Sequence, residues 1–227
     1  MSNILLRKSH VRSRKIPVYD VGMRIVCVSD THGLHRQLSL PDGDILVCTG
    51  DFTRRGRRAE VEEFDRWLSI LPHKHKVIIA GNHDFLFEQD PAARDLIQHG
   101  TYLQDELCEK DGVCIYGSPW QPRFFDWAFN LDRGLPLRNI WAKIPSGIDI
   151  LLTHGPPHGI LDTTARGLRV GCEELTLAIQ RVRPKLHVFG HIHESYGQMM
   201  AGETRCVNAS TCNLQYAPIH PPVVIDL

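Results

Sequence analysis

The sequence of 227 residues lacks net charge, long apolar runs and internal repeats. It has 26 Lys and Arg residues against 26 Asp and Glu residues, so no overall field attracts nucleic acid or a membrane surface, and attraction of an anion must be local. No segment approaches the roughly 18 consecutive apolar residues of a membrane span. The run Ile4-Leu5-Leu6 is also too short for a signal peptide. We therefore expect no association with membranes.

The number of cysteines is odd. Of the seven cysteines, Cys27 and Cys48 lie inside apolar segments, where a thiol packs as a small hydrophobic group. An odd count of this kind does not indicate a disulfide framework. We therefore predict a reducing compartment and a cytoplasmic location.

The composition indicates one folded domain behind a basic leader. With 42% hydrophobic and 23% charged residues, the chain is ordinary for a globular protein, and its length suits one well-buried core. We predict a single domain over residues 23–227. Residues 1–22 hold no acid before Asp20 and carry five basic residues: Arg7, Lys8, Arg12, Arg14 and Lys15. This leader either contacts a polyanion or is a mobile or edge-pairing terminus.

Short apolar segments alternate with helical patterns. The predicted strands cover residues 24–29, 45–49, 77–80, 148–153 and 186–189. Helices are predicted over 59–70, after Pro91, and over 173–181, and strands alternating with helices favour an α/β fold. The aromatic-rich stretch 113–145 is predicted to form an irregular cap. The tail after Tyr196 is predicted to form short strands that extend or close a second sheet.

Each predicted strand ends at residues that bind metals. Asp30 and His32, one residue apart in a turn, can both reach one ion, whereas adjacent strand residues point oppositely. Asp51 is the expected bridge between two ions, and Asn82 offers a neutral oxygen. Nitrogen ligands come from His154, His191 and His193. Two dications against two carboxylates leave about +2 of charge, which suits a phosphoryl group.

The order and spacing of these clusters resemble a known family. Asp30-x-His32, Gly50-Asp51, Gly81-Asn82-His83-Asp84, His154 and Gly190-His191-x-His193 resemble the signature of the calcineurin-like metallophosphoesterase superfamily. The strings Thr153-His154-Gly155-Pro156-Pro157 and Arg169-Val170-Gly171-Cys172 further resemble its small branch of metallophosphoesterase-domain-containing proteins. The resemblance implies a four-layer αββα sandwich of two mixed sheets flanked by helices.

The resemblance also implies roles for individual residues. Asp30, His32, Asp51 and His193 would bind the first metal, and Asp51, Asn82, His154 and His191 the second. His83 would stabilise the substrate phosphate or protonate the leaving group, while a hydroxide held between the metals attacks. Asp84 is expected to hold the imidazole of His83 in one tautomer through a hydrogen bond.

The substrate implied by the resemblance is a small phosphodiester, with cyclic nucleotides as the leading class. Two divalent ions are expected; Mn²⁺ is the first choice, and Fe or Zn also suit mixed oxygen and imidazole ligands. Arg169 is a candidate contact for phosphate or base, and Arg54, Arg55, Arg57 and Arg58 either steer an anion or form a solvated face.

Other functions use the same residues. A nuclease or RNA-processing phosphodiesterase, or a phosphomonoesterase, would need the same metals, and a catalytically idle scaffold is the more remote alternative. Nucleic acid is a possible but not a favoured partner, and the sequence sets no expectation for the oligomeric state.

Overall fold

The computed structural model describes residues 22–227, and this part of the chain contains thirteen strands and four α-helices. The strands are β1 (Arg24–Val28), β2 (Ile45–Thr49), β3 (His75–Ile79), β4 (Thr101–Tyr102), β5 (Glu106–Lys110), β6 (Val113–Ser118), β7 (Gln121–Pro122), β8 (Asn130–Leu131), β9 (Ile150–Thr153), β10 (Leu186–Phe189), β11 (Gly197–Ala201), β12 (Thr204–Asn208) and β13 (Val223–Asp226). The α-helices are α1 (Arg58–Ser69), α2 (Phe85–Gln89), α3 (Leu135–Trp141) and α4 (Glu173–Val182), and short 3-10 helices cover His35–Gln37, Pro91–Leu96 and His193–Ser195.

The strands form two large mixed sheets and a two-stranded ribbon of β7 and β8. The first sheet has the order β13-β1-β2-β3-β4, and the second has the order β11-β12-β10-β9-β6-β5. Strands β1 to β4 run parallel, with β13 antiparallel at the edge. In the second sheet β12, β10, β9 and β6 run parallel, and antiparallel β11 and β5 form the edges.

The two sheets pack face to face through alternate residues of their strands. Ile25 and Cys27 of β1 are buried in one apolar cluster with Ile150 of β9 and Val188 of β10. Because successive side chains of a strand point to opposite faces, the residues between them face outward from this central layer. Near-continuous apolar runs such as Ile45–Thr49 follow from burial on both faces.

Helices cover the outer faces. Val26 of β1 packs in a cluster with Phe64 of α1, and Leu151 of β9 packs with Trp141 of α3 and Leu175 of α4. The layers therefore run helix, sheet, sheet, helix, and the predicted αββα sandwich is confirmed. None of the helices within residues 22–227 is long and apolar enough to cross a bilayer.

The aromatic-rich stretch differs from its prediction. Residues 113–145 begin with β6, which lies inside the second sheet between β5 and β9, and end with α3, whose Trp141 is buried in the core. Only residues 119–134 run irregularly beside the site, with the β7-β8 ribbon among them. The residues at both ends of the stretch therefore pack in the core. The prediction that the whole stretch forms a cap was wrong.

Two smaller differences concern the helix after Pro91 and the tail. The predicted helix after Pro91 is a short 3-10 helix, preceded by α2. The predicted strands of the tail are present, but β13 joins the first sheet beside β1, while β11 and β12 extend the second. The predicted basic leader, residues 1–22, lies outside the described residues except for Gly22.

Candidate metal centre

Parallel strands of both sheets end at one edge, and their following loops meet there. Backbone bonds tie these loops together: Asp30 N donates to Gly50 O at 3.0 Å, and Gly190 N donates to His154 O at 2.9 Å. The two sheets are joined where Thr211 N donates to Ser29 O at 2.8 Å. Side chains from both sheets therefore converge on one site.

The backbone at this edge is strained. Four residues there that are not glycine have left-handed φ values: Asp30 (53°), His32 (46°), Asp51 (52°) and His191 (67°). Such conformations cost free energy, and they concentrate at functional sites because surrounding contacts hold them. A Cβ on Gly81 would collide with Asp51 Oδ1, so only glycine lets this loop approach the aspartate.

The first group of side chains joins Asp30, His32 and His193 beside Asp51. His32 Nε2 lies 3.2 Å from His193 Nε2, and His193 Nε2 lies 3.3 Å from Asp30 Oδ1. Asp51 Oδ2 lies 3.9 Å from His32 Nε2. His193 Nδ1 donates to Asn213 O at 3.0 Å, so Nε2 is the ring nitrogen that faces the group.

The second group joins Asp51, Asn82 and His154. His154 Nε2 lies 2.9 Å from Asn82 Oδ1 and 3.5 Å from Asp51 Oδ1. His154 Nδ1 donates to Thr49 O at 2.8 Å, so in the neutral ring Nε2 carries a lone pair. His154 Nε2 therefore faces two oxygen atoms in a buried place, and either a proton on the ring or a bound metal ion must lie between them.

His191 lies beside the second group. Its ring centroid is 5.0 Å from that of His154, and its backbone N donates to Asp30 Oδ2 at 3.0 Å. Burial lowers the pKa of His191 to about 3, with the charge of His154 adding to the effect. The ring is therefore neutral at pH 7 and has a nitrogen lone pair to offer.

The electrostatics of the buried groups also call for cations. Burial lowers the pKa of His154, but the charge and hydrogen bond of Asp51 outweigh burial and raise this pKa to about 9. In the same way burial lowers the pKa of His193, while Asp30 raises it, with a net pKa of about 9. Burial acts to raise the pKa of Asp51, but nearby His154 and His83 hold it below its ordinary value.

The donor set fits divalent metal ions. Three overlapping groups of Asp and His ligand atoms lie close enough to share an ion within residues 22–227: Asp30, His32 and His193; His32, Asp51 and His83; and Asp30, Asp51 and His154. Asp30, His32 and Asp51 each belong to two of these groups. Carboxylate, amide and imidazole ligands suit Mn, Fe and Zn.

His83 lies beside Asp51 and shares one possible ligand group with Asp51 and His32. Its Nε2 lies 3.9 Å from Asp51 Oδ2, and its backbone N donates to Asp51 Oδ1 at 2.8 Å. Its ring packs against Trp127, with centroids 4.2 Å apart. Nδ1 donates to Arg54 O at 2.8 Å, which leaves Nε2 directed toward the site.

Asp84 has a different contact from the one predicted. The carboxylate accepts hydrogen bonds from Asp51 N and Gly81 N, both at 2.8 Å, from Thr53 N at 3.0 Å and from Thr53 Oγ1 at 2.7 Å. The expected hydrogen bond to the His83 ring is absent, because the Arg54 carbonyl takes that place. Burial and the charge of Asp51 raise the pKa of Asp84 to about 7. Asp84 therefore holds the loops after β2 and β3 together.

A cavity of about 360 Å³ opens above the two groups. Beyond Asp51, Asn82, His83, His191 and His193, its lining includes four residues that the sequence did not single out as site residues: Arg123, Phe124, Arg133 and Tyr216. Arg169 is exposed and does not line this cavity, so its predicted substrate contact remains a prediction.

No local pattern marked those four residues. Tyr216 lies in a turn closed by Tyr216 N donating to Asn213 O, and its ring centroid is 4.7 Å from that of His32. His32 and Tyr216 are 184 residues apart in the sequence. Their contact is therefore visible only in the folded structure.

Two facing sheets that bring Asp, Asn and His side chains together at one edge form a candidate centre for divalent metal ions. The profile of the family described as Calcineurin-like phosphoesterase matches residues 23–195, and the chain belongs to this family. The membership indicates a metal-dependent phosphoester hydrolase, and the sequence resemblance is confirmed at the level of the family.

Curated relatives agree with this assignment. Metallophosphoesterase domain-containing protein 1 of Homo sapiens is 46% identical, over 90% of this chain and 71% of its own length. A protein of Nostoc sp. named 3',5'-cyclic-nucleotide phosphodiesterase is 25% identical, over 76% of this chain and 64% of its own length. A crystal structure of a Thermus thermophilus protein has a TM-score of 0.58 at 14% identity, covering 90% of this chain and 99% of that chain, and it shows the likeness of fold alone.

Proposed function

We propose that the chain is a phosphodiesterase that hydrolyses small phosphodiesters with two divalent ions bound at the strand ends. The observation that carries the proposal is the buried meeting of three atoms that can each bind a metal ion: His154 Nε2, Asn82 Oδ1 and Asp51 Oδ1. The other carboxylate oxygen of Asp51 lies toward His32 and His83. One aspartate thus serves two neighbouring groups of ligands.

The ligand atoms divide into two sets around Asp51. Asp30, His32 and His193 would hold one ion with Asp51, and Asn82, His154 and His191 would hold the other. When bound, two such ions neutralise phosphate oxygens and lower the pKa of bound water, which is the chemistry that phosphoester hydrolysis needs. Mn²⁺ is the proposed ion, with Fe and Zn as the alternatives that the same ligands suit.

His83 supplies the hydrogen-bond donor for the substrate phosphate, which the metal ligands do not provide. The Arg54 carbonyl keeps a proton on Nδ1, so the protonated ring can donate its second proton, at Nε2, to a phosphate oxygen or to the departing alkoxide. Asp84 acts indirectly, since it binds the backbone of the loop that carries His83. In the overall reaction water adds across one P–O bond and yields a phosphomonoester and an alcohol.

The size of the cavity supports a small substrate. A volume of about 360 Å³ lies near the lower limit of small-molecule sites, and the balanced net charge gives no overall attraction for a polynucleotide. The name of the Nostoc relative supports cyclic nucleotides as the first class to examine.

All seven cysteines are free thiols, as proteins in reducing compartments keep them. This observation supports the proposed cytoplasmic location.

The test is a substrate panel with Mn²⁺, repeated with Fe²⁺ and Zn²⁺. It compares bis-p-nitrophenyl phosphate, 2′,3′- and 3′,5′-cyclic nucleotides, linear dinucleotides, nucleoside monophosphates and a long single-stranded RNA. We expect diesters to be cleaved and monoesters to be poor substrates, because hydrolysis is proposed to stop at the phosphomonoester. Failure to cleave any diester with any of the three metals would refute the proposal. Preference for the long RNA, with binding that weakens steeply as salt rises, would favour a nuclease instead.

A further inference from the structure

A second cavity, of about 970 Å³, lies on the other side of His83. His83 and Tyr216 line both cavities, so the two are neighbours across these side chains. The wall of the second cavity includes Trp127 and three arginines, Arg54, Arg55 and Arg57. We call it the arginine cavity.

The guanidinium groups of these arginines have no acidic partner in the part of the chain that the structure describes. Within residues 22–227, no Asp or Glu forms an ion pair with Arg54, Arg55 or Arg57, whereas Arg58 pairs with Glu62 at 2.9 Å. The arginines of the first cavity are also paired, Arg123 with Asp132 at 2.7 Å and Arg133 with Glu173. The positive charge of the arginine cavity is therefore left for a bound anion.

Glu60, which is close in sequence, is engaged elsewhere. Its carboxylate accepts hydrogen bonds from the backbone N of Arg54 at 3.1 Å, of Arg55 at 3.3 Å and of Arg57 at 2.9 Å. Glu60 thus fixes the backbone of the arginine loop and does not neutralise the side chains. Such a loop presents several cations at defined positions.

The loop is also tied to the catalytic site. Arg54 Nε donates to His32 O at 2.9 Å, and Arg54 O accepts from His83 Nδ1 at 2.8 Å. The positions of Arg55 and Arg57 are therefore set relative to the side chain proposed to act on the scissile phosphate. Trp127, which packs on His83 and on Phe85, offers an aromatic face in the wall of the arginine cavity.

We propose that the arginine cavity binds a second phosphate group of the substrate, on an ester arm that passes His83 and Trp127. This inference rests on the proposed phosphodiesterase activity, and it moves the preferred substrate from the cyclic nucleotides suggested by the Nostoc relative to linear diesters with a second phosphate. The preferred substrates are short linear dinucleotides that end in a phosphomonoester. A cyclic mononucleotide has a single phosphate and leaves the arginines without a partner.

The experiment measures kcat/KM of the Mn²⁺-loaded protein for three linear dinucleotides of one sequence: unphosphorylated, 5′-phosphorylated and 3′-phosphorylated. We expect at least one phosphorylated form to exceed the unphosphorylated form by about 10-fold or more, the scale of charge-assisted hydrogen bonds to one phosphate. The preference should shrink as salt rises, because an exposed cationic site is screened.

The variants are Arg55→Ala/Arg57→Ala and, as the matched control, Arg58→Ala, whose side chain is paired and does not line the cavity. We expect the double variant to lose most of the preference and Arg58→Ala to keep it. The ratio of kcat/KM for two substrates is independent of metal loading and of the folded fraction. A variant that folds poorly therefore does not lose the preference for that reason.

The outcomes separate the two proposals. Cleavage of the unphosphorylated dinucleotide with no preference for either phosphorylated form would overturn the arginine cavity and leave the phosphodiesterase proposal standing. A preference that survives in the double variant would also overturn it, as would equal or better cleavage of a long unphosphorylated RNA. Absence of all diesterase activity would instead refute the underlying function.

Discussion

His187 provides a test of the core that does not depend on the metal centre. Its side chain is fully buried on β10, and Nε2 donates to Thr153 Oγ1 at 2.8 Å, whose own proton goes to Gly155 O. Nδ1 has no hydrogen-bond partner within the described residues. Burial lowers the pKa of His187 from 6.5 to about 3, so the folded protein keeps this ring neutral.

The sign of the effect follows from proton binding. Below pH 6.5 the unfolded chain binds a proton at His187 that the folded protein does not bind, so stability falls as the pH falls. At about 1.4 kcal/mol per pH unit, the loss attributable to His187 is about 2 kcal/mol between pH 7 and pH 5. Above pH 7 its contribution to the pH dependence is negligible.

The assay is urea unfolding in the presence of a chelator, at pH 7.5, 6.0 and 5.0, for the wild type and for His187→Leu. Other histidines titrate in both proteins, so the difference between them isolates position 187. We expect the variant to be less sensitive to acid by about 2 kcal/mol at pH 5. His187→Gln, which also cannot titrate in this range, controls for the change in packing. Parallel loss of stability in wild type and both variants would refute the reasoning.

Three further predictions concern the site and the core. Asp51→Asn should weaken both metal positions together, because its two oxygens face different ligand groups; elemental analysis showing two ions retained would count against the bridge. His83→Ala should keep its metals and lose about 100-fold in turnover of bis-p-nitrophenyl phosphate. The control His99→Ala lies outside the site and should change turnover less than about twofold. Undiminished turnover in His83→Ala would reject the proposed role of His83. Trp141→Ala should lower the free energy of unfolding by about 3 to 5 kcal/mol, because Trp141 is 2% exposed. The control Phe125→Ala removes a ring that is 75% exposed and should have a smaller effect. Equal effects of the two variants in urea unfolding would contradict the assignment of α3 to the core.

The strand ends of the site were predictable because the signal there is local. An apolar run followed by Gly50-Asp51 or by Gly81-Asn82 marks a strand and its carboxyl end, and parallel strands bring such ends to one edge. The sequence also predicted α1 from the helical spacing of Val61, Phe64 and Trp67, which are buried together.

Other features depended on partners distant in sequence. Trp141 and Phe125 are both aromatic residues of the same stretch, and the local sequence does not distinguish them. Only Trp141 packs against the second sheet, in a cluster that includes residues of α4. Asp84 was assigned to the neighbouring histidine, although the buried N–H groups of Asp51, Gly81 and Thr53 required a carboxylate more strongly. Residue propensity and spacing in the sequence do not show which of several possible hydrogen-bond partners a carboxylate will take.

By itself the sequence predicted an α/β fold with Asp, Asn and His side chains at the strand ends, because apolar periodicity and turn residues are local signals, and the family resemblance added the αββα class. Only the tertiary structure decided what surrounds those residues. It placed Tyr216 against His32, gave the Arg54 carbonyl to His83, and left Arg55 and Arg57 without acidic partners among the described residues. These contacts join segments far apart in the chain, and their distances exist only after both sheets have packed.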